Sequence, residues 1–257
     1  MPHRTAALDS NPVISHVSAL AGPTPPVVVV SSPRARRSLR RFDRAIAWLL
    51  VLPVLPLMGL LWCLVRITSR GPGIYSQLRS GLDGRPFAIY KLRTMTHNCE
   101  SGTGAVWAKK NDSRVTLLGR ILRKTHLDEL PQIINVLKGD MALVGPRPER
   151  PEIVETLVRE IPNYAERMKV LPGVTGLAQI YAEPDQTLDD VRHKLCYDIR
   201  YITQASRWMD IRIVFCTALK MVGLNRVWVR RLLFPSLHAK RRADQPINVP
   251  GRPWLTP

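Results

Sequence analysis

Cysteine is scarce: four in 257 residues, Cys63, Cys99, Cys196 and Cys216, with no C-x-x-C pair among them. That spacing suggests neither a zinc site nor a disulfide framework, and reduced, cytoplasm-facing thiols are the expectation. Acids are scarce too, 20 against 38 lysines and arginines, for a formal net charge of +18. So large an excess calls for an anionic partner: nucleic acid, an acidic membrane surface or a phosphorylated substrate. Aromatics make up 6% of the chain, and its six Trp and four Phe form no base-stacking cluster, which argues against nucleic acid. No internal repeat is visible, so a repeat architecture is excluded.

What is present begins with a Pro-, Ser-, Ala- and Val-rich stretch up to about residue 33, expected to be a disordered tail. Its apolar run at 27–30 is too short for a secretory signal. Six arginines follow, Arg34, Arg36, Arg37, Arg40, Arg41 and Arg44, and then an uncharged apolar run at 45–65. As a helix that run is roughly 31 Å long, enough to cross a bilayer core of ~30 Å. Pro53 and Pro56 sit in its middle, where each removes a helix hydrogen bond and favours a kink. Each half then reaches only the midplane, and both flanks are basic, with Arg66, Arg70, Arg79 and Arg85 continuing beyond the run. Because basic loops prefer the cytoplasm, both ends are expected inside. The prediction is a re-entrant helix–break–helix broken at Pro53 and Pro56; a spanning helix and a buried soluble hairpin are the alternatives.

Beyond a turn at Ser69-Arg70-Gly71-Pro72-Gly73, the residues 81–86 form a second turn and 87–90 a short strand. Lys91 and Arg93 continue that strand on one face, suited to an anion or to plain solvation. The segment 97–112 reads as a loop, 115–124 as a helix with Arg120 and Arg123 on one face, 128–138 as a helix stopped by Gly139, and 151–160 as an amphipathic helix. Gly145-Pro146-Arg147-Pro148 holds one arginine between two prolines, an ordered anion ligand or a bare turn. The run 171–180 carries glycines around Thr175 and then a strand-like stretch; such a backbone can approach a phosphate, though Gly-rich turns are usually only turns. Helices are expected at 188–201 and 208–222, the second suited to core packing or to a headgroup surface. The basic tail from Arg226, with Trp228, Leu232 and Phe234 interleaved, reads as a membrane-surface patch.

In so basic a chain the adjacent acids of Leu127-Asp128-Glu129-Leu130-Pro131-Gln132 stand out. Taken alone they resemble ordinary capping: Thr125 followed by Asp128 matches a capping box, and acids favour a helix's positive end. Their cationic surroundings suggest chemistry instead.

Together these stretches closely resemble the bacterial sugar transferases, the monotopic polyprenyl-phosphate phosphoglycosyl transferases. The resemblance is carried by Arg41-Phe42-Asp43, Ser69-Arg70-Gly71-Pro72, the run 86–95, the run 127–141, Leu143-Val144-Gly145-Pro146-Arg147-Pro148 and the run 172–179, six segments in family order across roughly 38–224. It implies an α+β, predominantly helical protein: a monotopic membrane protein with a proline-broken re-entrant helix and a cytoplasmic catalytic domain. The expected organisation is a disordered tail at 1–37, a re-entrant helix at 38–67, the transferase domain at 68–224 and a basic tail at 225–257. Many longer members carry an N-terminal multi-span region, so a compact catalytic module is expected here.

The resemblance further implies transfer of a sugar 1-phosphate from a UDP-sugar to undecaprenyl phosphate. Asp128 would be the nucleophile, forming a phosphosugar ester with release of UMP, and Asp128 and Glu129 would hold Mg²⁺. Lys91, Arg123 and Arg147 match positions that meet phosphate oxygens, with Arg93 added from its place beside Lys91. Asp210 matches an acid near the substrate, and Thr175 and Gln179 complete the substrate-binding set. The implied partners are the UDP-sugar, undecaprenyl phosphate, an anionic bilayer and downstream glycosyltransferases, with no nucleic acid, at the cytoplasmic face of a bacterial inner membrane. Two departures bear on these expectations. Leu55, where members often have Ser, precedes Pro56, and Tyr181-Ala182-Glu183 replaces a family Asn-Gly-Arg, which leaves the sugar open. A catalytically inactive member, or a basic membrane-attached scaffold or nucleic-acid binder, is the competing reading.

Overall fold

The computed structural model describes residues 33–97, 99, 112–182, 187–221 and 223–224, with side chains from Phe42 onward. The basic tail at 225–257, residues 1–32 of the expected N-terminal tail, most of the 97–112 loop and Glu183 lie outside these residues. Residues 33–37, expected in the disordered tail, are instead the first turns of a helix, since the arginines that follow Pro33 favour helix.

The first helix, α1 (Pro33–Thr68), runs through the apolar stretch without interruption, with Pro53 and Pro56 inside it. The expected break is therefore not an interruption of the helix. Between Ala47 and Arg66 the covered or half-covered positions are Ala47, Val51, Val54, Met58, Leu61 and Val65. Their spacings of four and three place them on one stripe. Both prolines lie off that stripe, on the exposed side. The residues whose carbonyls lose a proline-side donor, Leu49 and Leu52, are themselves exposed. The rest of the surface is apolar and bare: Trp48, Leu49, Leu52, Leu60 and Ile67 are all exposed. Residues Phe42–Thr68 are long and apolar enough to cross a membrane by length and composition.

The stripe meets the domain in two places. Ala47, Val51 and Val54 pack with Ile89, Ile133, Val136 and Met141. Leu61 and Val65 pack with Leu92 and Leu122. The helix therefore lies along the domain at both of its halves.

Strands β1 (Ile74–Ser80) and β2 (Pro86–Leu92) form an antiparallel hairpin, with Ile74 opposite Leu92 and Ser80 opposite Pro86. The turn between them is a 3-10 turn, Leu82–Gly84, in which Asp83 and Gly84 take positive φ. Next come α2 (Leu117–Thr125), capped by the Thr116 hydroxyl on the Gly119 amide, a 3-10 turn at Leu127–Glu129, and α3 (Gln132–Lys138), closed by Gly139 at φ 87°. Asn135, fully buried, stitches α3 to β2: it accepts from the Tyr90 amide at 3.2 Å and donates to the Ala88 carbonyl at 2.7 Å.

The second half is a helical layer around the main core. Strand β3 (Ala142–Val144) pairs in parallel with β4 (Gly173–Thr175). Around them lie α4 (Pro151–Glu160), a 3-10 segment Tyr164–Lys169, α5 (Leu177–Tyr181), α6 (Leu188–Gln204) and α7 (Arg207–Met221). Val144, Leu157, Tyr164, Leu177, Ile199 and Ile213 are central to its core. The mostly helical α+β class is as expected. The stretch after Gly176 is a short helix rather than the strand anticipated, and β1 was not anticipated at all.

Candidate functional site

The 128–138 stretch is not one helix. Asp128 and Glu129 sit in the 3-10 turn, and α3 starts only after Pro131. Proline has no N–H to donate back to the preceding turn, so its ring separates the acid pair from the helix that follows. Nor does Thr125 form the capping box: its hydroxyl donates back to the Ile121 and Leu122 carbonyls at the end of α2. His126, in a left-handed conformation at φ 57°, turns the chain between α2 and the acids. Capping thus accounts for neither carboxylate.

What surrounds the pair comes from two distant segments. The Lys91 ammonium, on β2, donates to Glu129 Oε1 at 2.9 Å. The Arg147 guanidinium grips the same carboxylate with two nitrogens, Nη2 to Oε1 at 2.5 Å and Nη1 to Oε2 at 3.3 Å. Asp128 itself is buried, and no hydrogen bond from the described residues reaches its carboxylate. Arg123 sends Nε to the Thr94 hydroxyl at 2.8 Å, close enough for its charge to act on Asp128. Gly119 makes this approach feasible, since a Cβ there would lie 2.0 Å from the Thr94 carbonyl oxygen.

The consequence is a split between neighbours. Burial opposes ionisation of Glu129, but Arg147 and Lys91 outweigh it and hold the carboxyl well below the usual range. Asp128 goes the other way, to about 6, raised first by burial and then by Glu129's charge, against the weaker pull of Lys91, Arg147 and Arg123. Lys91 is lowered by burial and by Arg147, while Arg147 is raised, chiefly by Glu129. Two carboxyls with opposite shifts take different roles: one fixed as an anion among cations, one poised to ionise near neutrality.

Of the other sequence candidates, Arg93 leaves the strand face it was expected to share with Lys91. Its guanidinium donates to the Pro72 carbonyl and, through Nη2, to Ser69 O and Oγ at 2.7 and 2.8 Å, tying down the turn after α1. Thr175 bonds the Thr217 hydroxyl at 2.6 Å, Gln179 donates to the Val174 carbonyl at 3.1 Å, and Asp210 accepts from the Tyr201 hydroxyl at 2.9 Å. Burial raises Asp210 to about 7. All three hold the second half of the protein together. The glycines of the 172–179 run serve backbone contact: a Cβ on Gly173 would lie 2.0 Å from the Gly145 amide nitrogen, and one on Gly176 2.2 Å from the Gly145 oxygen.

One neighbour was missed. Gln132, one turn beyond Asp128, is 1% exposed, and its Nε2 has no partner. A glutamine in a motif gives no warning of that.

No group of three His, Cys, Asp or Glu side chains that could hold a metal occurs among the described residues. The donor set nonetheless suits magnesium, which needs only one or two carboxylates when phosphate and water supply the other ligands.

A family model described as bacterial sugar transferase matches residues 35–223. The UDP-glucose:undecaprenyl-phosphate glucose-1-phosphate transferase of Caulobacter vibrioides is 42% identical over 200 residues, covering 76% of this chain and 74% of that protein. The UDP-N-acetylgalactosamine-undecaprenyl-phosphate N-acetylgalactosaminephosphotransferase of Aeromonas hydrophila is 46% identical over 162 residues, 63% of this chain. A UDP-glucose:undecaprenyl-phosphate glucose-1-phosphate transferase of Klebsiella pneumoniae is 41% identical over 180 residues, 69% of this chain. The matched part spans only 38% of each of the latter two.

Proposed function

The chain belongs to the bacterial sugar transferase family, and we propose that it moves a sugar 1-phosphate from a UDP-sugar to undecaprenyl phosphate through an ester on Asp128. An Asp128 oxygen attacks the phosphorus that carries the sugar, the bond from that phosphorus to the bridging oxygen breaks, and UMP leaves. An oxygen of undecaprenyl phosphate then attacks the same phosphorus, freeing Asp128 and forming the sugar diphospholipid.

The observation that carries this reading is the unequal treatment of the two acids. Glu129 has both oxygens bonded to cations, which ties up the lone pairs an attacking carboxylate needs. Asp128 takes no hydrogen bond from the described residues and is raised to about 6, so near neutral pH it is ionised and more basic than an ordinary aspartate. Lys91 and Arg147 supply two fixed positive charges beside it, where a diphosphate needs its charge neutralised. Glu129 holds both cations in place in the substrate-free protein and yields them as phosphate oxygens take its position. With the diphosphate, Asp128 and Glu129 would hold Mg²⁺, which when bound adds charge neutralisation at the phosphoryl oxygens.

The placement of α1 supports a membrane-embedded but non-spanning helix. Both halves of its covered stripe contact the domain, which a helix crossing the bilayer away from that domain would not do. On this reading the helix lies within one leaflet with both ends on the same side, the domain lies at the cytoplasmic face of the inner membrane, and Asp128 meets its lipid acceptor at an anionic surface. Cysteines placed at positions 40 and 75 label from the same side of sealed vesicles; labelling from opposite sides overturns this topology.

For the chemistry, donor labelled in its sugar phosphate is mixed with the protein and Mg²⁺, without acceptor, and quenched. Label is expected on the wild-type polypeptide and absent from Asp128→Asn. A panel of UDP-sugars with undecaprenyl phosphate, read by UMP release, identifies the sugar; no release from any donor points to an inactive member or scaffold.

A further inference from the structure

The segment that delivers Arg147 to Glu129 is bonded along its whole length. The Gly145 amide donates to the Thr175 carbonyl at 2.9 Å. Four successive carbonyls then each accept from a different part of the chain. Pro146 O takes the Gly173 amide at 2.9 Å and Glu149 O takes the Ser80 amide at 2.9 Å. Between them, Arg147 O takes Arg167 Nη2 at 2.9 Å and Pro148 O takes Arg79 Nη1 at 3.2 Å. The flanking pairs are backbone bonds of β4 and β1. The two central ones, at and beside Arg147, come from arginine side chains.

Those two arginines are themselves held. Arg167, 5% exposed, sends Nε to Asp198 Oδ2 at 2.9 Å and Nη1 to the Tyr164 hydroxyl at 2.6 Å, and its Nη2 lies 2.7 Å from the same Asp198 oxygen. Arg79 donates to Gln77 Oε1 at 2.7 Å and lies 3.5 Å from Glu149 Oε2, whose other oxygen takes Lys194 at 2.8 Å. No hydrogen bond among the described residues joins these groups to Asp128 or Glu129; besides the charge of Glu149 on Arg147, they reach the site through the backbone they hold.

We infer that Arg167 and Arg79 are positioning residues for Arg147: their guanidinium groups fix the 147 and 148 carbonyls and so set where the Arg147 side chain meets a donor phosphate. The inference rests on the reading of Arg147 given above. A planar fork reaches a carboxylate, a hydroxyl and a carbonyl together, whereas a lysine ammonium at the same place cannot match all three directions. Misplacement on the order of 1 Å at a positioned cation costs up to roughly a hundredfold in rate.

The test is a double-mutant cycle on kcat/KM for the UDP-sugar, with melting curves to establish folding. Arg147→Lys and Arg167→Lys are each expected to lower kcat/KM, Arg167→Lys by about tenfold or more. The double variant is expected to be no slower than Arg147→Lys alone, because a misplaced fork is no further loss once Arg147 has none. Losses that multiply, or an Arg167→Lys enzyme of wild-type rate beside an impaired Arg147→Lys, overturn the inference. A wild-type rate in Arg147→Lys instead overturns the phosphate role of Arg147, and the inference with it. If Arg167→Lys does not fold, Arg79→Lys, whose side chain is 18% exposed, runs the same cycle with the same two outcomes.

Discussion

Two ionic clusters face each other across the 145–149 segment, built from the same residue types. Behind it, Arg79, Arg167 and Lys194 surround Glu149 and Asp198, and every carboxylate is ion-paired. Burial works against Glu149's charge, yet Lys194 and Arg167 outweigh it and hold the carboxyl at about 2. Arg167 is likewise raised despite burial, by Tyr164 and Asp198. In front, Lys91 and Arg147 neutralise Glu129, and Asp128 is buried with no hydrogen bond from the described residues. In the back cluster every acid has its cation; in the front one Glu129 takes both cations and Asp128 is left near neutrality.

Removing that odd carboxylate breaks the comparison most severely. Asp128→Asn is expected to lower turnover by on the order of 10³-fold or more, the scale of losing a nucleophile, measured as UMP release. The next largest effect is at the back. Asp198→Ala leaves Arg167 buried without its acid and is expected to cost about 3–5 kcal/mol of stability, read from denaturant melts.

The front should respond with the opposite sign. Asp128's folded-state value lies above the unfolded one, so the native state is favoured below about pH 4 and loses that advantage as pH rises through about 6. Asp128→Asn abolishes this loss and is expected to stabilise the protein at pH 7 by roughly 1–3 kcal/mol. In the active protein the same group gives an acid limb: kcat/KM falls about tenfold per pH unit well below a midpoint near 6. A flat profile between pH 5 and 7 would separate Asp128 from the chemistry. The smallest effect belongs to neither cluster. The Arg192–Asp189 pair, with side chains 52% and 82% exposed, should change stability by under about 0.5 kcal/mol on Arg192→Ala.

Helix positions were legible where local rules suffice. The Pro151–Glu160 helix lies where its amphipathic pattern put it, and α6 opens on a capping box from Thr187 to Asp190 close to its expected start. Local rules failed where partners come from afar. β1 carries only weak alternation and is a strand because β2 pairs with it along seven residues. Arg93 looked like Lys91's neighbour on one face, but β2 ends at Leu92 and the next residue turns toward Ser69 and Pro72. Glu149, Arg167 and Asp198 carried no sequence signal at all, because they are separated in the chain and meet only in the folded core.

By itself the sequence determined the family, the apolar helix, the basic surface and the acid pair, since each is a matter of composition or of a contiguous motif. Composition and spacing alone do not tell the two acids apart; the resemblance names Asp128, but the physical difference between it and Glu129 is not in the motif. That difference belongs to the tertiary structure, because the cations that hold Glu129 as an anion arrive from 38 residues before it and 18 after, and Coulomb interactions depend on distance in space, not along the chain.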